Sequence, residues 1–414
     1  MPKYADVATP MPNSFKGVKF LNTSNGWNVD DFQKLKPLAP FSDEVVVYLN
    51  LLSKELYQNT NLKSFPDVAT FAFYCRKANI LSLKNKHSLN DRIKLGRGIV
   101  FHISPSNVPV NFAYSFLAGL LAGNSNIVRV PSRDFDQVNM IVEAMNAIAN
   151  KDEAVKVANR IVLVKYDREN HATDVLSLIC DVRIIWGGDT TIRQIRQKPL
   201  SPRAFDVTFS DRYSMCIINA DMYINSKDTF RIASNFYNDT YLFDQNACTS
   251  PHLVVWTGNN KNVEKSQEIF WDVLYKILEK SYQITPLLSI DKMTNYCHQV
   301  ISTDEVSNVK KKDNLLWRVN LEKLSGEIDG FRCNSGYFSE YHASSLLELS
   351  QIINRKYQTV AYYGFDKSDL VRLINELQPF GIDRMVPIGR TMDFSLTWDG
   401  YNLIDSLSRE VEIL

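Results

Sequence analysis

From residue 97 onward, short and almost wholly apolar runs alternate with longer stretches whose apolar residues recur at helical spacing. "GIVFHI" (98–103), "NIVRV" (126–130), "RIVLVKY" (160–166) and "VRIIW" (182–186) have the length and β-branched content of strands. "NFAYSFLAGLLAG" (111–123), "QVNMIVEAMNAIA" (137–149), "ATDVLSLI" (172–179) and "TTIRQIRQ" (190–197) read as the helices between and after them. Strands apolar at nearly every position, separated by helices, predict a parallel sheet covered on both faces, and so a doubly wound nucleotide-binding domain. Residues 27–95 read as helical and carry no motif. A second α/β run starts near residue 213 with the strand "YSMCIINA" and the helix "DTFRIASNFYN" (228–238). It continues through the strand "HLVVWT" (252–257), the helix "VEKSQEIFWDVLYKILEKSY" (263–282), the strand "YQTVAYYGF" (357–365) and the helix "DLVRLINELQPFG" (369–381). The pattern places one domain over 1–210, helical to about residue 95, and a second α/β domain over 211–390. A C-terminal segment, 391–414, is expected to pack on the first domain or to lie in an oligomer interface.

Bulk properties narrow the function classes. The chain has 414 residues and a formal net charge of +1, so it lacks the electrostatic footprint of a nucleic-acid or anionic-membrane binder. With 45% hydrophobic and 22% charged residues it reads as a globular protein. Its six cysteines contain no CxxC pair, which argues against zinc, against a disulfide framework and for a reducing cytoplasm. The start, "MPKYADVATPMPNSFKG", has no apolar h-region, so no signal peptide is expected. The longest nearly apolar stretch, "VNFAYSFLAGLLAG", falls short of the roughly 20 residues that span a bilayer.

Four stretches could carry chemistry. "FHISPSNVPVN" (101–111) joins a strand to a helix at the edge where parallel sheets build their sites. Asn107 there can offer an amide N–H to an oxyanion, or the segment is a proline-rich connector capped by Ser104 or Ser106. "AGNSNIVRVPSRD" (122–134) ends a strand in Arg129, Ser132 and Arg133, which could hold a nucleotide phosphate or be a solvated strand end. "IIWGGDTTIRQI" (184–195) gives a phosphate access to backbone N–H groups at a helix start, although a Gly-Gly turn is also plain geometry. "LFDQNACTSPHLVVW" (242–256) surrounds Cys248 with Asp244, Gln245, Asn246 and Thr249, where a structural thiol usually has apolar neighbours. Cys297 and His298 are adjacent, but neighbours in a helix point to different faces and do not form a dyad. Trp317, Phe331, Tyr337, Phe338 and Trp398 could line an acyl tunnel, or they are core.

Taken in order, "SPSNVP", "AGNSNIVRVPS", "WGGDTTI" and "DQNACTS" resemble the aldehyde dehydrogenase superfamily. They are most similar to its acyl-CoA reductase branch, typified by the fatty acid reductase of bacterial bioluminescence. The resemblance extends to "GIDRMVPIGR" and "TWDGYNLIDSLSREVEI" near the end of the chain. It implies an aldehyde dehydrogenase-like fold with a nucleotide-binding and a catalytic domain. It puts Cys248 at the nucleophile's position and Asn107 at that of the asparagine which, with the cysteine's own backbone N–H, forms the oxyanion hole. Cofactor contacts fall on Ser104, Pro105, Ser106, Arg129, Ser132, Arg133, Gly187, Gly188, Asp189 and Thr190.

Three departures refine that implication. Ser132, followed by Arg133, stands where many NAD-using relatives have a ribose-binding glutamate, which favours NADPH over NADH. Phe209 or Ser210 stands where hydrolytic relatives have the glutamate that activates water, with Asp211 a nearby carboxylate. Without that base, water is a poor partner for an acyl-enzyme, leaving hydride or CoA. No Glu-x-Phe-Gly-Pro segment for the nicotinamide ribose is found; "CNSGYFSEY" (333–341), with Glu340, comes nearest. The expected activity is NADPH-dependent, metal-free reduction of an acyl-CoA or acyl-protein thioester to the aldehyde through an acyl-cysteine. The alternatives are a CoA-acylating aldehyde dehydrogenase running toward acyl-CoA and a non-redox cysteine acyltransferase. An acyl-transferring or acyl-activating partner protein and a homo-oligomer complete the expectation.

Overall fold

The computed structural model describes residues 15–22, 27–87, 93–106 and 108–413. It divides into two compact units, the first running to Ser210 and including the chain from Tyr401 onward, the second Asp211–Gly400. In the first unit the strands are β1 (Lys19–Phe20), β2 (Ile93–Gly96), β3 (Ile99–Ile103), β4 (Ser125–Arg129), β5 (Ile161–Lys165), β6 (Val182–Trp186) and β7 (Phe205–Phe209). Helices α1 (Val29–Gln33), α2 (Asp43–Gln58), α3 (Pro66–Tyr74) and α4 (Lys77–Lys86) form the helical N-terminal part. Helices α5 (Asn111–Leu121), α6 (Asp136–Ile148), α7 (Val155–Ala158), α8 (Ala172–Ile179) and α9 (Asp189–Arg196) follow.

The strand order β1-β5-β4-β3-β6-β7 makes β3 the pivot. The chain steps outward from β3 through β4 to β5, then crosses back to β6 and β7, so the loops after β3 and β6 diverge from one point. In doubly wound sheets that divergence opens a crevice for ligands. All five residues of β3 and of β6 are buried, which is why their sequences show no polar alternation. Two polar residues on these strands are fully partnered. Arg183 holds Asp206 of β7 with Nε–Oδ1 2.7 Å and Nη2–Oδ2 3.1 Å. His102 pairs with Ser115 Oγ at 2.7 Å and Asn126 Oδ1 at 2.9 Å. The stretch 408–411 lies antiparallel on β2, pairing Ser408 with Gly96 and Val411 with Ile93.

The second unit contains β8 (Tyr213–Asn219), β9 (Pro251–Thr257), β10 (Val306–Lys312), β11 (Leu316–Leu321), β12 (Tyr337–His342), β13 (Tyr357–Tyr363) and β14 (Arg384–Pro387). Its helices are α10 (Ala220–Tyr223), α11 (Thr229–Thr240), α12 (Asn260–Ser281), α13 (Pro286–Ser302) and α14 (Lys367–Leu377). The strand order is β10-β11-β12-β9-β8-β13-β14, parallel except for the β10–β11 pair. Alternate residues feed two separate cores. Cys216, Ile218, Val254 and Trp256 face one, with Phe236, Phe270 and Trp271 of the helices. Met215, Ile217, Leu253 and Val255 face the other, with Trp317 and Tyr337. Both faces of β8 and β9 are therefore covered, as their continuous apolar sequences require.

Besides a register shift between Val306 and Asn308 in the β10–β11 pair, two irregularities break the parallel part of this sheet near the starts of its strands. From Tyr357–Tyr213 to Val360–Met215, β13 advances one residue more than β8. From Ser214–Pro251 to Met215–Leu253, β9 advances one residue more than β8. Each is a β-bulge, which bends a strand and re-aims side chains.

Candidate functional site

Helix α11 runs into a 3-10 turn, Tyr241–Phe243, and then into two successive left-handed residues, Asp244 at φ 50° and Gln245 at φ 60°. Such conformations cost non-glycine residues about 1–2 kcal/mol each, so something must hold them. The buried carboxamide of Gln245 does so with all of its capacity. Its Oε1 accepts from the backbone N–H of Gly336 at 2.9 Å and of Tyr337 at 3.3 Å. Its Nε2 donates to the carbonyls of Pro251 at 2.9 Å and Tyr337 at 3.1 Å. Asp244 accepts from the Tyr282 hydroxyl at 2.6 Å, and Asn246 accepts from Asn334 Nδ2 at 2.6 Å. The polar residues that single out Cys248 in the sequence thus build its turn.

Cys248 itself is exposed, unlike the buried Cys75, Cys180 and Cys216. Its carbonyl accepts from Ser214 Oγ at 2.6 Å, and that oxygen in turn accepts from the Thr359 backbone N–H at 3.3 Å. The Gln358 carboxamide lies near enough to the thiol to favour its ionised form. Gln358 Nε2 also donates to Asp399 Oδ1, and Asp399 Oδ2 accepts from Arg212 Nε at 3.2 Å. Arg212 is anchored further by donating to the Arg355 carbonyl at 2.6 Å. Arg384, at the start of β14, is in electrostatic reach of Cys248 and donates to the carbonyls of Thr391, Arg390 and Asp393. Ser214, Cys248, Gln358 and Arg384 all stand at or just before the amino ends of their strands, beside the two bulges.

Desolvation pushes the Cys248 thiol up to about 12, and the Asp399 carboxylate adds to the rise. Gln358 donation, the Arg212 charge and the cysteine's own backbone N–H pull it back. Solvent reaches this exposed residue, so hydration offsets part of the effect of crowding. The resting group is a thiol. Burial likewise raises the Asp399 carboxyl, against Arg212 and Gln358, which favour its ionised form.

In the first unit, the segments at Ser104–Ser106, Arg129–Arg133 and Gly187–Thr190 gather at the carboxyl ends of β3, β4 and β6. Ser104 Oγ is buried with no hydrogen-bond partner among the described residues. Arg129 turns back over the Tyr166 ring, 4.7 Å from its centroid, and donates to the Tyr166 carbonyl at 3.2 Å. Ser132 and Arg133 are exposed, the guanidinium 5.4 Å from the Phe135 ring centre. Gly188 caps α9 with no side-chain hydrogen bond, and a Cβ built on it would meet nothing within 4 Å. Pro105, Ser106, Asp189 and Thr190 flank these positions. Asn107 lies outside the described residues.

Phe209 stacks on Trp186, centroids 3.8 Å apart and planes at 15°. Asp211 forms an ion pair with Arg332 at 2.6 Å. Glu340 does not fit a ribose-binding role. It is buried and accepts from Trp256 Nε1 at 2.7 Å, Trp271 Nε1 at 2.6 Å, and Arg318 Nε and Nη2 at 2.9 and 2.6 Å. His252 is buried and bonds the Cys333 carbonyl at 3.2 Å; burial, then the Arg332 charge, lower it to about 3. Trp317, Phe331, Tyr337 and Phe338 are core, whereas Trp398 is half-buried and stacked on Phe394. Among the described residues, no three His, Cys, Asp or Glu side chains are grouped to hold a metal ion, and no helix is long and apolar enough to cross a membrane. Sequence reasoning missed Ser214, Gln358 and Asp399 as neighbours of Cys248, along with Arg212 and Arg384. Asp399 and Arg384 do fall inside the two C-terminal motifs that carried the resemblance.

The model of the acyl-CoA reductase (LuxC) family matches residues 79–410. The chain belongs to the acyl-CoA reductase (LuxC) family. It is 24% identical over 298 residues to a long-chain acyl-protein thioester reductase of Aliivibrio fischeri, covering 71% of this chain and 58% of that one. It is 26% identical over 215 residues to long-chain acyl-protein thioester reductase 2 of Photobacterium leiognathi, covering 49% and 42%. The match thus spans about half the length of these curated relatives. Among solved structures it resembles aldehyde dehydrogenase 21 of Physcomitrella patens, with TM-score 0.63, 12% identity and 89% and 85% coverage. It also resembles glyceraldehyde-3-phosphate dehydrogenase of Methanocaldococcus jannaschii, solved with NADP, with TM-score 0.57, 11% identity and 92% and 90% coverage. This LuxC-family chain therefore has the aldehyde dehydrogenase fold.

Proposed function

We propose that this protein reduces a long-chain acyl thioester, carried by a protein or by CoA, to the aldehyde, with NADPH as hydride donor and Cys248 as the acyl acceptor. The observation that carries the reading is the exposed Cys248 in a rigidly held turn, and Phe209, expected where hydrolytic relatives have the water-activating carboxylate, carries no base. The names of the family and of its relatives supply the substrate class.

The Cys248 sulfur attacks the thioester carbonyl, and the departing thiolate leaves as a thiol with the cysteine's proton. The Cys248 backbone N–H, which donates to no backbone carbonyl among the described residues, would turn from the thiol to the oxyanion. Asn107 would be the second donor, and losing a donor of this kind costs about 3–4 kcal/mol of barrier. Ser214 fixes the Cys248 carbonyl and with it the direction of that N–H. The nicotinamide, when bound, would supply the hydride that turns the acyl-cysteine into aldehyde and a Cys248 thiolate, which takes a proton from solvent.

The cofactor fits the residues at the carboxyl edge of the first sheet. The unpartnered Ser104 Oγ, the open backbone at Gly188 and the amino end of α9 suit a pyrophosphate. Ser132 and Arg133, in place of a carboxylate, suit a 2′-phosphate.

The test is intact-mass spectrometry of the full chain with a long-chain acyl-CoA and no nicotinamide, followed by NADPH and an aldehyde assay. A covalent acyl adduct that disappears as aldehyde forms is expected. Cys248→Ala removes both signals, and Cys297→Ala neither. Absence of the adduct overturns the nucleophile, and an adduct that NADPH leaves untouched favours an acyltransferase.

A further inference from the structure

The Cys248 thiol faces a small polar assembly that contributes nothing to the cysteine turn itself. Gln358 is 2% exposed and Asp399 is 9% exposed, so a carboxamide and a carboxylate are buried beside an exposed sulfur. Each is delivered by an irregularity of the backbone. Gln358 sits in the β13 bulge, whose Thr359 N–H is taken up by Ser214. Asp399 has a left-handed backbone, φ 48°, followed by Gly400 at φ 75°. Strained backbone of this kind costs on the order of 1–3 kcal/mol and collects at functional sites.

The Gln358 carboxamide is held at both ends, its Oε1 accepting from the Thr359 hydroxyl at 3.5 Å and its Nε2 donating to Asp399. Asp399 can only accept, and Arg212 holds its other oxygen, so the Gln358 NH2 group is turned toward the carboxylate. That group has a second hydrogen. Toward Cys248 it acts as a donor, and a donor is useful to a thiolate but has no lone pair to offer a thiol.

We infer that Gln358 is a positioning residue for Cys248: its carboxamide, clamped by Asp399 and through it by Arg212, aims the sulfur and donates a hydrogen bond to the thiolate as it forms. The inference deepens the reading of Cys248 as the acyl acceptor and rests on it. The two partners act on the sulfur in opposite senses. Gln358 stabilises the thiolate by donation, whereas the Asp399 charge opposes it and keeps the resting thiol protonated. The other charged groups facing this assembly are Arg212 before β8, Asp383 and Arg384 at β14, and Asp239 and Asp393 around the 389–393 strap. All five are retained in the variants below.

The experiment measures the rate of Cys248 alkylation by iodoacetamide against pH, read by peptide mass spectrometry in a Cys297→Ala background. Asp399→Asn, which keeps the shape and an accepting oxygen, is expected to move the midpoint down by about one pH unit. Gln358→Leu is expected to move it up by a similar amount. It should also slow acyl-adduct formation about tenfold or more with KM for the acyl thioester little changed. A purely structural role predicts midpoints that stay put or move together, and either result overturns the inference. If thermal melting shows Gln358→Leu to be unfolded, Asp399→Asn alone decides: a downward shift supports the inference, and no shift or an upward one overturns it. Because alkylation needs no acyl substrate, opposite shifts without any acyl adduct would leave the inference standing and sink the proposed reaction.

Discussion

Ser214 Oγ donates to the carbonyl oxygen of Cys248 at 2.6 Å while accepting from the Thr359 N–H at 3.3 Å. One hydroxyl thereby ties the cysteine turn to the bulge that presents Gln358. Ser214 and Thr359 are both buried, so the Thr359 N–H cannot turn to water if the hydroxyl is lost. Ser214→Ala is expected to destabilise the second unit by about 1–3 kcal/mol. It should also slow acylation, because the Cys248 N–H loses its fixed direction. Thermal unfolding together with the acyl-adduct time course checks both, and a variant that melts and acylates like the parent would show the bridge to be idle.

Acid should loosen the first unit through His102. This ring is fully buried on β3, and desolvation lowers it from 6.5 to about 4. The folded state resists protonation more than the unfolded chain, so the contribution is complete above about pH 6.5 and is lost as pH falls toward 4. It amounts to about 3 kcal/mol. His252 acts in the same sense in the second unit, its ring lowered to about 3. His102→Gln should lower the melting temperature at pH 7.5 yet flatten its decline between pH 6.5 and 4. A decline as steep as the parent's would refute the assignment to His102.

Cofactor choice should respond to the exposed end of β4. Ser132→Glu places a carboxylate beside Arg133, where it would repel a 2′-phosphate and bond a free ribose. The expected outcome is a rise of about tenfold or more in KM for NADPH, with KM for NADH unchanged or lower. Steady-state aldehyde formation with each nucleotide reads the ratio. A parallel change in both constants would place the 2′-phosphate elsewhere.

Much of this protein can be read along the chain because burial leaves a local signature. Continuous apolar runs mark β3, β6, β8 and β9, and helical spacing marks α5, α6, α8 and α12, with ends displaced by a few residues at most. The helical reading of α12, from 263, begins three residues late because the polar turn Asn260–Asn262, capped by Asn259, carries no apolar period. Cys248 stood out for a reason that proved indirect. Gln245, Asn246 and Asp244 are polar because two left-handed residues need side-chain support.

The alternation of elements, both sheets' apolar strands, the family's ordered motifs and an unusual cysteine are all legible along the chain. These are properties of residues near one another in the chain, where periodicity reports which face is covered. What surrounds the thiol depends instead on how distant segments pack. Gln358 comes beside the cysteine turn because β13 is laid beside β8 and slips by one residue there, and a one-residue slip changes which side chains face the site; Asp399 joins it through its bond to Gln358. Packing also decided against Glu340, whose sequence setting suits a cofactor ligand but whose carboxylate is fully taken by Arg318, Trp256 and Trp271. Strand order and bulges arise from contacts between distant segments, and no local pattern of polar and apolar residues encodes them.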